Sequence, residues 1–194
     1  LTLLFSLPLG LIVAGGRMSR FAPLRWLAKI YISIMRGTPL MLQLIVVFFA
    51  PYYVFGINLS ADYRFIAVII AFTINYAAYF AEIYRGGIES INSGQYEAAQ
   101  VLGYSKLETF FIIILPQVIK VVLPSITNEV ITLVKDTSLS FVIAIPEMFT
   151  VAKQIAAADA SIAALLVAGL FYYIFNVLVA FVMEHLENRL SYYD

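Results

Sequence analysis

The chain has 194 residues, of which 62% are hydrophobic and only 12% charged, and its 12 basic residues balance its 12 acidic ones. Soluble domains carry roughly 25% charged residues, so this composition excludes a chain that folds mainly in water. The zero net charge gives no electrostatic footprint for nucleic acid, and the absence of cysteine excludes disulfides and thiolate metal sites. We therefore expect residues 1–194 to form a single all-α integral membrane domain with about five transmembrane helices.

The first apolar run, residues 1–16, predicts a membrane span. It opens without a methionine or a basic leader, so we expect further residues upstream of Leu1. No acidic residue occurs before Asp62. By the positive-inside rule, the basic residues that follow the first span place their loop in the cytoplasm. These residues are Arg17, Arg20, Arg25 and Lys29.

A second and a third span follow. Residues 26–36 mix two cations with apolar side chains and predict an interfacial helix. A Gly-Thr-Pro break at residues 37–39 separates this helix from the apolar run 40–55, which predicts the second span. A short external turn then leads to a third span at residues 65–84, which returns the chain to the cytoplasmic side.

The longest polar interval of the chain, residues 86–109, comes next. It is too polar to span a membrane, but apolar residues recur in it at helical spacing. This pattern predicts short amphipathic helices that lie along the cytoplasmic face. The apolar residues concerned are Ile88, Ile91, Ala98, Val101 and Leu102.

The fourth span is interrupted in the sequence. Its apolar runs cover residues 110–115 and 118–134, and we expect Pro116 and Pro124 to break or kink the helix where they fall. A mixed stretch then predicts an external or re-entrant piece before the last span at residues 162–183. Five crossings place the N-terminus outside and the C-terminus in the cytoplasm.

No residue pattern indicates a catalytic or metal site. The single histidine, His185, has no second histidine nearby to form a metal pair, and no Ser-His-Asp arrangement surrounds it. The nearest approach to a phosphate loop is residues 10–17, which carry Arg17 where such loops carry lysine and which follow no strand. We therefore expect no catalytic residue, no metal and no cofactor on this chain.

A Glu-Ala-Ala tripeptide at residues 97–99 lies in the polar interval, followed by Gly103 and later by Leu115-Pro116. This arrangement resembles the signature of the permease subunits of ABC importers. In that family the segment forms a coupling helix that docks in a groove of the ATP-binding subunit, and the resemblance implies the same role for residues 86–109. The coupling residues that it implies are Glu97, Ala98, Ala99, Gly103, Tyr104 and Ser105.

Elementary chemistry supports this interpretation of the polar interval. Two small alanines let another protein approach closely, and Gly103 permits a sharp turn between two helices. The alternative is a plain surface helix in which Glu-Ala-Ala occurs by chance.

Four further motifs are similar to those of the polar amino-acid branch of the bacterial type I ABC importers, the histidine, arginine and glutamine type. They lie at residues 36–39, 81–83, 85–88 and 135–139. The resemblance implies the type I importer permease fold in the bacterial inner membrane, surrounded by membrane lipid, and import of a polar or basic amino acid by alternating access. It also implies three protein partners: an ATP-binding subunit that binds the ATP, a second permease in a homo- or heterodimer, and an extracellular amino-acid-binding protein.

Ionisable and amide side chains inside spans are the candidates for the translocation path, because burying them in a membrane is costly. An amino-acid substrate needs a carboxylate to accept from its ammonium group. Glu129 and Asp136 are two helical turns apart and share a face if the fourth helix is continuous, with Asn128 adjacent. We expect these residues and Asn75 to line the path. The alternative is that Glu129 and Asp136 form structural pairs.

Glu82 and Arg85 lie one turn apart near the inner end of the third span and predict a structural ion pair that anchors the coupling segment, residues 86–109. Two other functions stay open. A channel or carrier driven by ion gradients would use the intramembrane acids as ion sites, and the coupling motif argues against it. An intramembrane hydrolase would need a nucleophile and a base inside the spans, and no such pair is visible in the sequence.

Overall fold

The chain is helical throughout its described part. The computed structural model describes residues 1–60 and 62–190, and every secondary-structure element in these ranges is a helix, which confirms the all-α prediction. The α-helices are α1 (Thr2–Arg17), α2 (Ala22–Gly37), α3 (Leu40–Phe55), α4 (Tyr63–Glu89), α5 (Ser93–Val101), α6 (Lys106–Glu108), α7 (Leu115–Asp136), α8 (Met148–Ala158) and α9 (Ala163–Leu190). A π-helical turn (Thr109–Ile114) joins α6 to α7, and a 3₁₀ segment (Thr137–Ile143) follows α7.

Three described helical stretches are long and apolar enough to cross a membrane, namely α4, the continuous stretch Lys106–Ile143, and α9. The helices α2 and α3 meet the same criteria as a pair, but the chain bends by 108° between them. A bend of this size lets α2 run along a membrane surface while α3 enters the bilayer. Helix α1 is also apolar, but it is shorter than these candidate spans. The five predicted crossings thus correspond to α1, α3, α4, α7 and α9, and α2 corresponds to the predicted interfacial helix.

Helix α4 forms the centre of the fold and contacts α1, α2, α3 and α7. Its contact faces are built from small residues, which let neighbouring helices approach closely. Five alanines of α4 have no exposed surface: Ala67, Ala71, Ala77, Ala78 and Ala81. Glycine permits two further close approaches. A Cβ on Gly10 of α1 would lie 2.8 Å from the Cβ of Phe80, and a Cβ on Gly87 would lie 2.2 Å from Val122 Cγ1 of α7.

Tyrosine hydroxyls of α4 add hydrogen bonds to these packed faces. Tyr63 donates to the Val47 carbonyl of α3 at 3.0 Å, and Tyr84 donates to the Leu7 carbonyl of α1 at 3.4 Å. Hydrogen bonds between helices contribute to association inside a membrane, where apolar burial gives little driving force. They therefore help to fix α1 and α3 against α4.

Of the break or kink expected at Pro116 and Pro124, the break is wrong. The chain stays helical from α6 to the end of α7, through both Pro116 and Pro124. The irregularity is the π-helical turn Thr109–Ile114, directly before Pro116, which lies in the first turn of α7. Proline has no N–H to donate, and a π-turn is one way for a helix to absorb that loss. The Gln117 side chain donates to the Ile113 carbonyl at 2.8 Å and supports the backbone there.

The stretch between the fourth and last spans contains α8, a helix that the sequence did not predict. Its N-cap is Glu147, whose carboxylate accepts from the backbone N–H groups of Phe149 and Thr150, both at 2.6 Å. Tyr172 of α9 donates to the same carboxylate at 3.3 Å, so the cap also joins α8 to α9. The external or re-entrant position of this stretch stays a prediction.

Helix α9 is the outermost long helix of the described fold. Only 6% of its most apolar window is buried within the chain, against 56% for α4. Its sequence prediction, residues 162–183, was too short at the C-terminal end, because the helix continues through the polar residues up to Leu190. A helix so little covered by its own chain presents most of its apolar surface to lipid or to another subunit.

Candidate functional site

The coupling segment contains a short helix that ends in a fixed reversal of the chain. Asn92 caps the start of α5 by accepting from the Gly94 N–H at 2.8 Å. At the other end, Gly103 has a φ of +82°, in the left-handed region that favours glycine. The N–H of Tyr104 donates to Ala99 O at 3.0 Å, and that of Gly103 donates to Gln100 O at 3.1 Å. These two bonds form a Schellman motif.

The helix that follows the reversal is capped in turn. Ser105 accepts from the Glu108 N–H at 3.3 Å, and the Glu108 carboxylate accepts from the Ser105 N–H at 2.8 Å. This reciprocal pair is a capping box. Ser105, predicted as a coupling residue, therefore has a structural role as a helix cap in addition to any role at an interface. The turn at residues 102–105 is held from both sides by local hydrogen bonds.

The predicted coupling residues differ in exposure. Glu97 and Ala98 are exposed on α5, whereas Ala99 is 1% exposed and packs inward. The apolar side chains at the reversal point away from the rest of the chain, and Val101 and Leu102 are 88% and 73% exposed. Together with the exposed Leu107, they form an apolar tip next to the acidic Glu97. Exposed apolar patches rimmed by polar residues are typical of surfaces that bind another protein.

Tyr104 lies beside a cavity of about 600 Å³ between α5, the start of the fourth span and Arg20 of the α1–α2 loop. The cavity brings two segments that the sequence places in the cytoplasm next to each other. Five residues of α5 and the following turn contribute to its lining: Tyr96, Gln100, Tyr104, Ser105 and Lys106. Part of the coupling segment thus lies close to the α1–α2 loop.

An ion cluster sits where α4 approaches the coupling segment. The Glu82 carboxylate pairs with Arg85 at 2.7 Å, as the sequence predicted, and also approaches Arg17 of α1 at 3.9 Å and Arg36 of α2 at 4.0 Å. Arg85 in turn pairs with Glu89 in the last turn of α4 at 2.5 Å. One carboxylate therefore links three helices immediately before the coupling segment.

The carboxylates predicted for the translocation path lie on one continuous helix. Because α7 is unbroken from Leu115 to Asp136, Glu129 and Asp136 share a face, as expected. Neither is fully buried, and Asn128 is exposed. Three further polar residues of α7 lie on the same arc, and none is fully buried: Ser125, Thr132 and Lys135. Thr127 lies on the opposite side of α7 and donates to Glu187 of α9 at 2.7 Å. In a membrane span, such a polar face has to meet water, a substrate, another subunit or a polar partner within the chain.

Asp136 has a hydrogen-bond partner within the chain. The hydroxyl of Tyr76, which is 2% exposed on α4, donates to Asp136 Oδ2 at 2.7 Å. The second carboxylate oxygen is not engaged by this bond. Asp136 therefore combines a structural contact with a position on the polar face of α7, and the two interpretations given by the sequence do not exclude each other.

Asn75 occupies a different setting from the α7 residues. It is 4% exposed, and its amide nitrogen donates to the Met35 carbonyl at 3.0 Å and to Gln43 Oε1 at 2.9 Å. The Gln43 amide donates in turn to Met35 O and to Thr38 at the α2–α3 break. Asn75 is thus part of a hydrogen-bond network that stabilises the bend between α2 and α3. Its place in the translocation path stays a prediction.

Sequence reasoning missed two contributors to these arrangements. Gln43 is a polar residue in an apolar span, and the logic that selected Asn75 would also have selected it. Tyr76 gives no such signal, because tyrosine is common in spans and its partner Asp136 lies 60 residues away along the chain. Residues 10–17, the nearest approach to a phosphate loop, lie inside α1 rather than in a strand-to-helix loop.

Comparison with protein families gives one match over nearly the whole chain. A family model described as the inner membrane component of binding-protein-dependent transport systems matches residues 6–192. The L-cystine transport system permease protein TcyB of Bacillus subtilis (strain 168) is 39% identical over 196 residues, covering 100% of this chain and 82% of the relative. The arginine transport system permease protein ArtQ of the same strain is 36% identical over 98% of this chain and 86% of its own length.

Solved structures show the same likeness in three dimensions. The crystal structure of an amino acid ABC transporter with histidines matches with a TM-score of 0.86 and 30% identity, covering 97% of this chain and 86% of that one. An inward-facing form of the MetNI methionine ABC transporter matches with a TM-score of 0.75 over 98% of this chain and 88% of that one. Its 18% identity shows a shared fold and nothing further.

Proposed function

The chain belongs to the family of inner membrane components of binding-protein-dependent transport systems, and we propose that it is the membrane subunit of an ATP-driven importer of polar or basic amino acids. In this proposal the chain forms part of the translocation path and hydrolyses no ATP itself. A separate ATP-binding subunit binds and hydrolyses ATP, so we assign no cofactor to this chain.

The observation that carries the proposal is the preformed reversal of the coupling segment. Val101 and Leu102 are exposed at a turn that Gly103 and the Ser105 cap hold in place. A rigid apolar tip costs little conformational entropy on docking, because its backbone is ordered beforehand. We propose that this tip inserts into the ATP-binding subunit, with Glu97, Ala98 and Tyr104 at its edge.

The polar face of α7 supports a second permease subunit as partner. A single chain with about five spans cannot enclose a pathway, and the polar face is only partly covered by its own chain: Ser125, Asn128 and Lys135 are exposed. A second copy or a sister permease would place this face on the inside of the assembly, where Asn128, Glu129 and Asp136 meet the path. Alternating access then follows when the ATP-binding subunits move the coupling segments.

The substrate class rests on the relatives and on the charge of the α7 face. Relatives are named for the transport of L-cystine, of arginine and, in Escherichia coli O157:H7, of glutamate and aspartate at 34% identity. All of these molecules carry an α-ammonium group, which the carboxylates of Glu129 and Asp136 can bind. An extracellular binding protein would deliver the amino acid, and its pocket would select among the polar and basic amino acids.

The orientation that fits this function has the N-terminus outside and the C-terminus in the cytoplasm. It places the coupling segment and the basic α1–α2 loop on the same side, consistent with the positive-inside rule. Their proximity at the cavity beside Tyr104 supports this arrangement. A cysteine introduced at Ser19 should then react with a membrane-impermeant maleimide only in inverted vesicles.

The decisive experiment is reconstitution of the chain in liposomes with its ATP-binding subunit and binding protein. ATP hydrolysis and accumulation are measured for each of the proteinogenic amino acids and for cystine. We expect a polar or basic subset to stimulate both activities together. If accumulation follows an imposed proton or sodium gradient without ATP, the chain is a carrier and the proposal is wrong.

A further inference from the structure

A second candidate binding site lies at the corner between α1 and α2, and its lining shares no residue with the coupling tip or with the polar face of α7. It is a cavity of about 630 Å³ lined by Arg17 at the end of α1 and by Arg25, Trp26 and Lys29 of α2, with Ala22 and Pro23 at its edge. Arg25 and Lys29 are one turn apart on α2 and present their charges on one face. The lining therefore combines three cations with one aromatic ring.

The charge of this corner has no counterpart in its own part of the chain. Among the described residues, Arg25 and Lys29 form no ion pair. Arg17 approaches Glu82 at 3.9 Å, but that carboxylate is already engaged by Arg85 at 2.7 Å. No acidic side chain occurs in the first turn of α2, and no side chain caps its N-terminus. The lining of the cavity thus has an excess of positive charge and no acidic side chain.

The apolar residues of this turn of α2 are as informative as the cations: Trp26 lines the cavity, and Leu24 and Leu27 lie on the other side of the helix. Trp26 and Leu27 are 64% and 61% exposed, and Leu24 is 45% exposed, so this turn of α2 buries little of its apolar surface within the chain. Tryptophan next to arginine and lysine is typical of the level at which lipid headgroups lie. Such a surface fits a ligand with an anionic head and an apolar tail.

We propose that the α1–α2 corner binds the phosphate of an anionic phospholipid headgroup of the cytoplasmic leaflet. The guanidinium groups of Arg17 and Arg25 and the ammonium of Lys29 would surround the phosphate, and the acyl chains would run past Trp26. Basic pockets between helices on the cytoplasmic side are suited to such headgroups. The inference relies on the cytoplasmic position proposed above for the α1–α2 loop.

Binding here would have a mechanical consequence for the proposed importer. Arg17 lines the cavity and also approaches Glu82, which links α1, α2 and α4 directly before the coupling segment. A bound phosphate would compete with Glu82 for Arg17 and would fix the α1–α2 corner to the membrane surface. Anionic lipid would therefore hold the corner in place while the coupling segment moves.

The test compares the double variant Arg25→Gln/Lys29→Gln with a matched control, Arg64→Gln/Lys153→Gln, which also removes two positive charges but lies elsewhere in the chain. Each assembled transporter is purified in detergent and titrated with mixed micelles of phosphatidylcholine and phosphatidylglycerol, and retained lipid is counted by native mass spectrometry. At about 1 kcal/mol for each cation near an anionic surface, the double variant should bind phosphatidylglycerol about 30-fold more weakly at low ionic strength. The control should bind it like the unchanged protein.

Three outcomes would overturn the proposal. Equal retention of phosphatidylglycerol by both double variants would show that the corner is not the site. Displacement of the lipid signal by inorganic phosphate at equal concentration would indicate a site for free anions. Loss of the ATP-binding subunit from the Arg25→Gln/Lys29→Gln assembly, with lipid retention unchanged, would show instead that the corner docks protein.

The proposed function and the lipid site can fail separately. One outcome is that amino-acid-stimulated ATP hydrolysis is equal in phosphatidylcholine vesicles and in vesicles of equimolar phosphatidylcholine and phosphatidylglycerol. If, in addition, the protein retains neither lipid preferentially, the lipid site is removed and the importer remains intact. Retention of phosphatidylglycerol by a protein that shows no amino-acid-dependent hydrolysis would support the lipid site and count against the importer.

Discussion

Glu82 accepts two hydrogen bonds from the guanidinium of Arg85, at 3.1 Å from Nε and 2.7 Å from Nη2, within a single turn of α4. This fork geometry orients the carboxylate, which stays within 4.0 Å of Arg17 and Arg36 on two other helices. The Arg36 guanidinium also lies 5.2 Å from the centre of the Tyr79 ring. The ends of α1 and α2 are thus tied to α4 at the point from which the coupling segment departs.

Replacing Glu82 by glutamine should therefore loosen the cytoplasmic end of the fold. The variant Glu82→Gln leaves three arginines without their shared anion, and we expect a loss of about 2 kcal/mol in unfolding free energy. Chemical unfolding of the chain in detergent micelles, followed by circular dichroism, measures this loss. The matched control is Glu89→Gln, because Glu89 is 54% exposed and, among the described residues, forms an ion pair with Arg85 alone; it should cost less than about 1 kcal/mol. Equal effects of the two variants would contradict a central role for Glu82.

The contact between α4 and α7 gives a second prediction. A methyl group on Gly87 would lie 2.2 Å from Val122 Cγ1, and valine is stiff at χ1, so Gly87→Ala should destabilise the fold by about 1–3 kcal/mol. In the double variant Gly87→Ala/Val122→Ala much of that loss should be recovered, as a double-mutant cycle in the same unfolding assay would show. The neighbouring Gly86 has open space where a Cβ would lie, so Gly86→Ala should be harmless. Additive losses at Gly87 and Val122 would argue against this contact.

The sequence predicted the helical elements better than their ends and their joints. Hydrophobic runs located α1, α3, α4, α7 and α9, because a membrane span needs a long apolar stretch, and such stretches are visible without any tertiary information. The predicted spans were too short where polar residues continue a helix, as in the last seven residues of α9, since hydropathy does not detect polar helical turns.

What the sequence could not supply depends on tertiary contacts. Pro116 and Pro124 were expected to break or kink a helix that stays continuous, and at Pro116 a π-helical turn directly precedes the proline and absorbs its missing hydrogen bond. The pairing of Tyr76 with Asp136 and of Arg36 with Glu82 joins residues far apart in the chain. By contrast, the local pair Glu82 and Arg85 and the turn at Gly103 were predicted, because both follow from spacing or residue type alone.

The turn at Gly103 gives a third prediction. Its φ of +82° suits glycine, and no atom lies within 4 Å of a Cβ built there, so Gly103→Ala should cost backbone strain alone, about 1–2 kcal/mol. Part of that strain would be relieved by unwinding the reversal, which moves the apolar tip. We expect fewer amino-acid molecules imported for each ATP hydrolysed in reconstituted vesicles, with normal insertion of the chain.

Asparagine tolerates the left-handed region better than alanine does, so Gly103→Asn should retain most of the coupling. This conservative variant separates backbone geometry from side-chain bulk. If Gly103→Asn lowers coupling as much as Gly103→Ala does, the position requires a residue without a side chain at an interface. The left-handed backbone is then not the reason for the glycine.

The apolar tip gives a fourth prediction. Because Val101 and Leu102 are 88% and 73% exposed, Val101→Ser/Leu102→Ser should leave the stability of the isolated chain unchanged within about 0.5 kcal/mol. Burying a side chain of this size at an interface contributes about 1.5–3 kcal/mol, so the double variant should bind the ATP-binding subunit at least 100-fold more weakly. Titration of a labelled ATP-binding subunit against the chain in nanodiscs measures the affinity. A matched control is Val46→Ser/Val54→Ser on α3, whose exposed valines lie far from the coupling segment in the sequence; it should bind normally.

The two interpretations of Asp136 can be separated by changing its partner. Tyr76→Phe removes the hydroxyl that donates to Asp136 at 2.7 Å and leaves the carboxylate in place, whereas Asp136→Asn removes the charge and keeps a polar side chain of the same size. If the carboxylate binds the ammonium of the substrate, Asp136→Asn should lower uptake at least tenfold, while Tyr76→Phe should change it by no more than about fivefold, the cost of one net hydrogen bond of about 1 kcal/mol. Glu129→Gln, on the same face of α7, should resemble Asp136→Asn. Comparable losses of stability and of uptake in Tyr76→Phe and Asp136→Asn would instead make the pair structural, because the hydrogen bond would then matter as much as the charge.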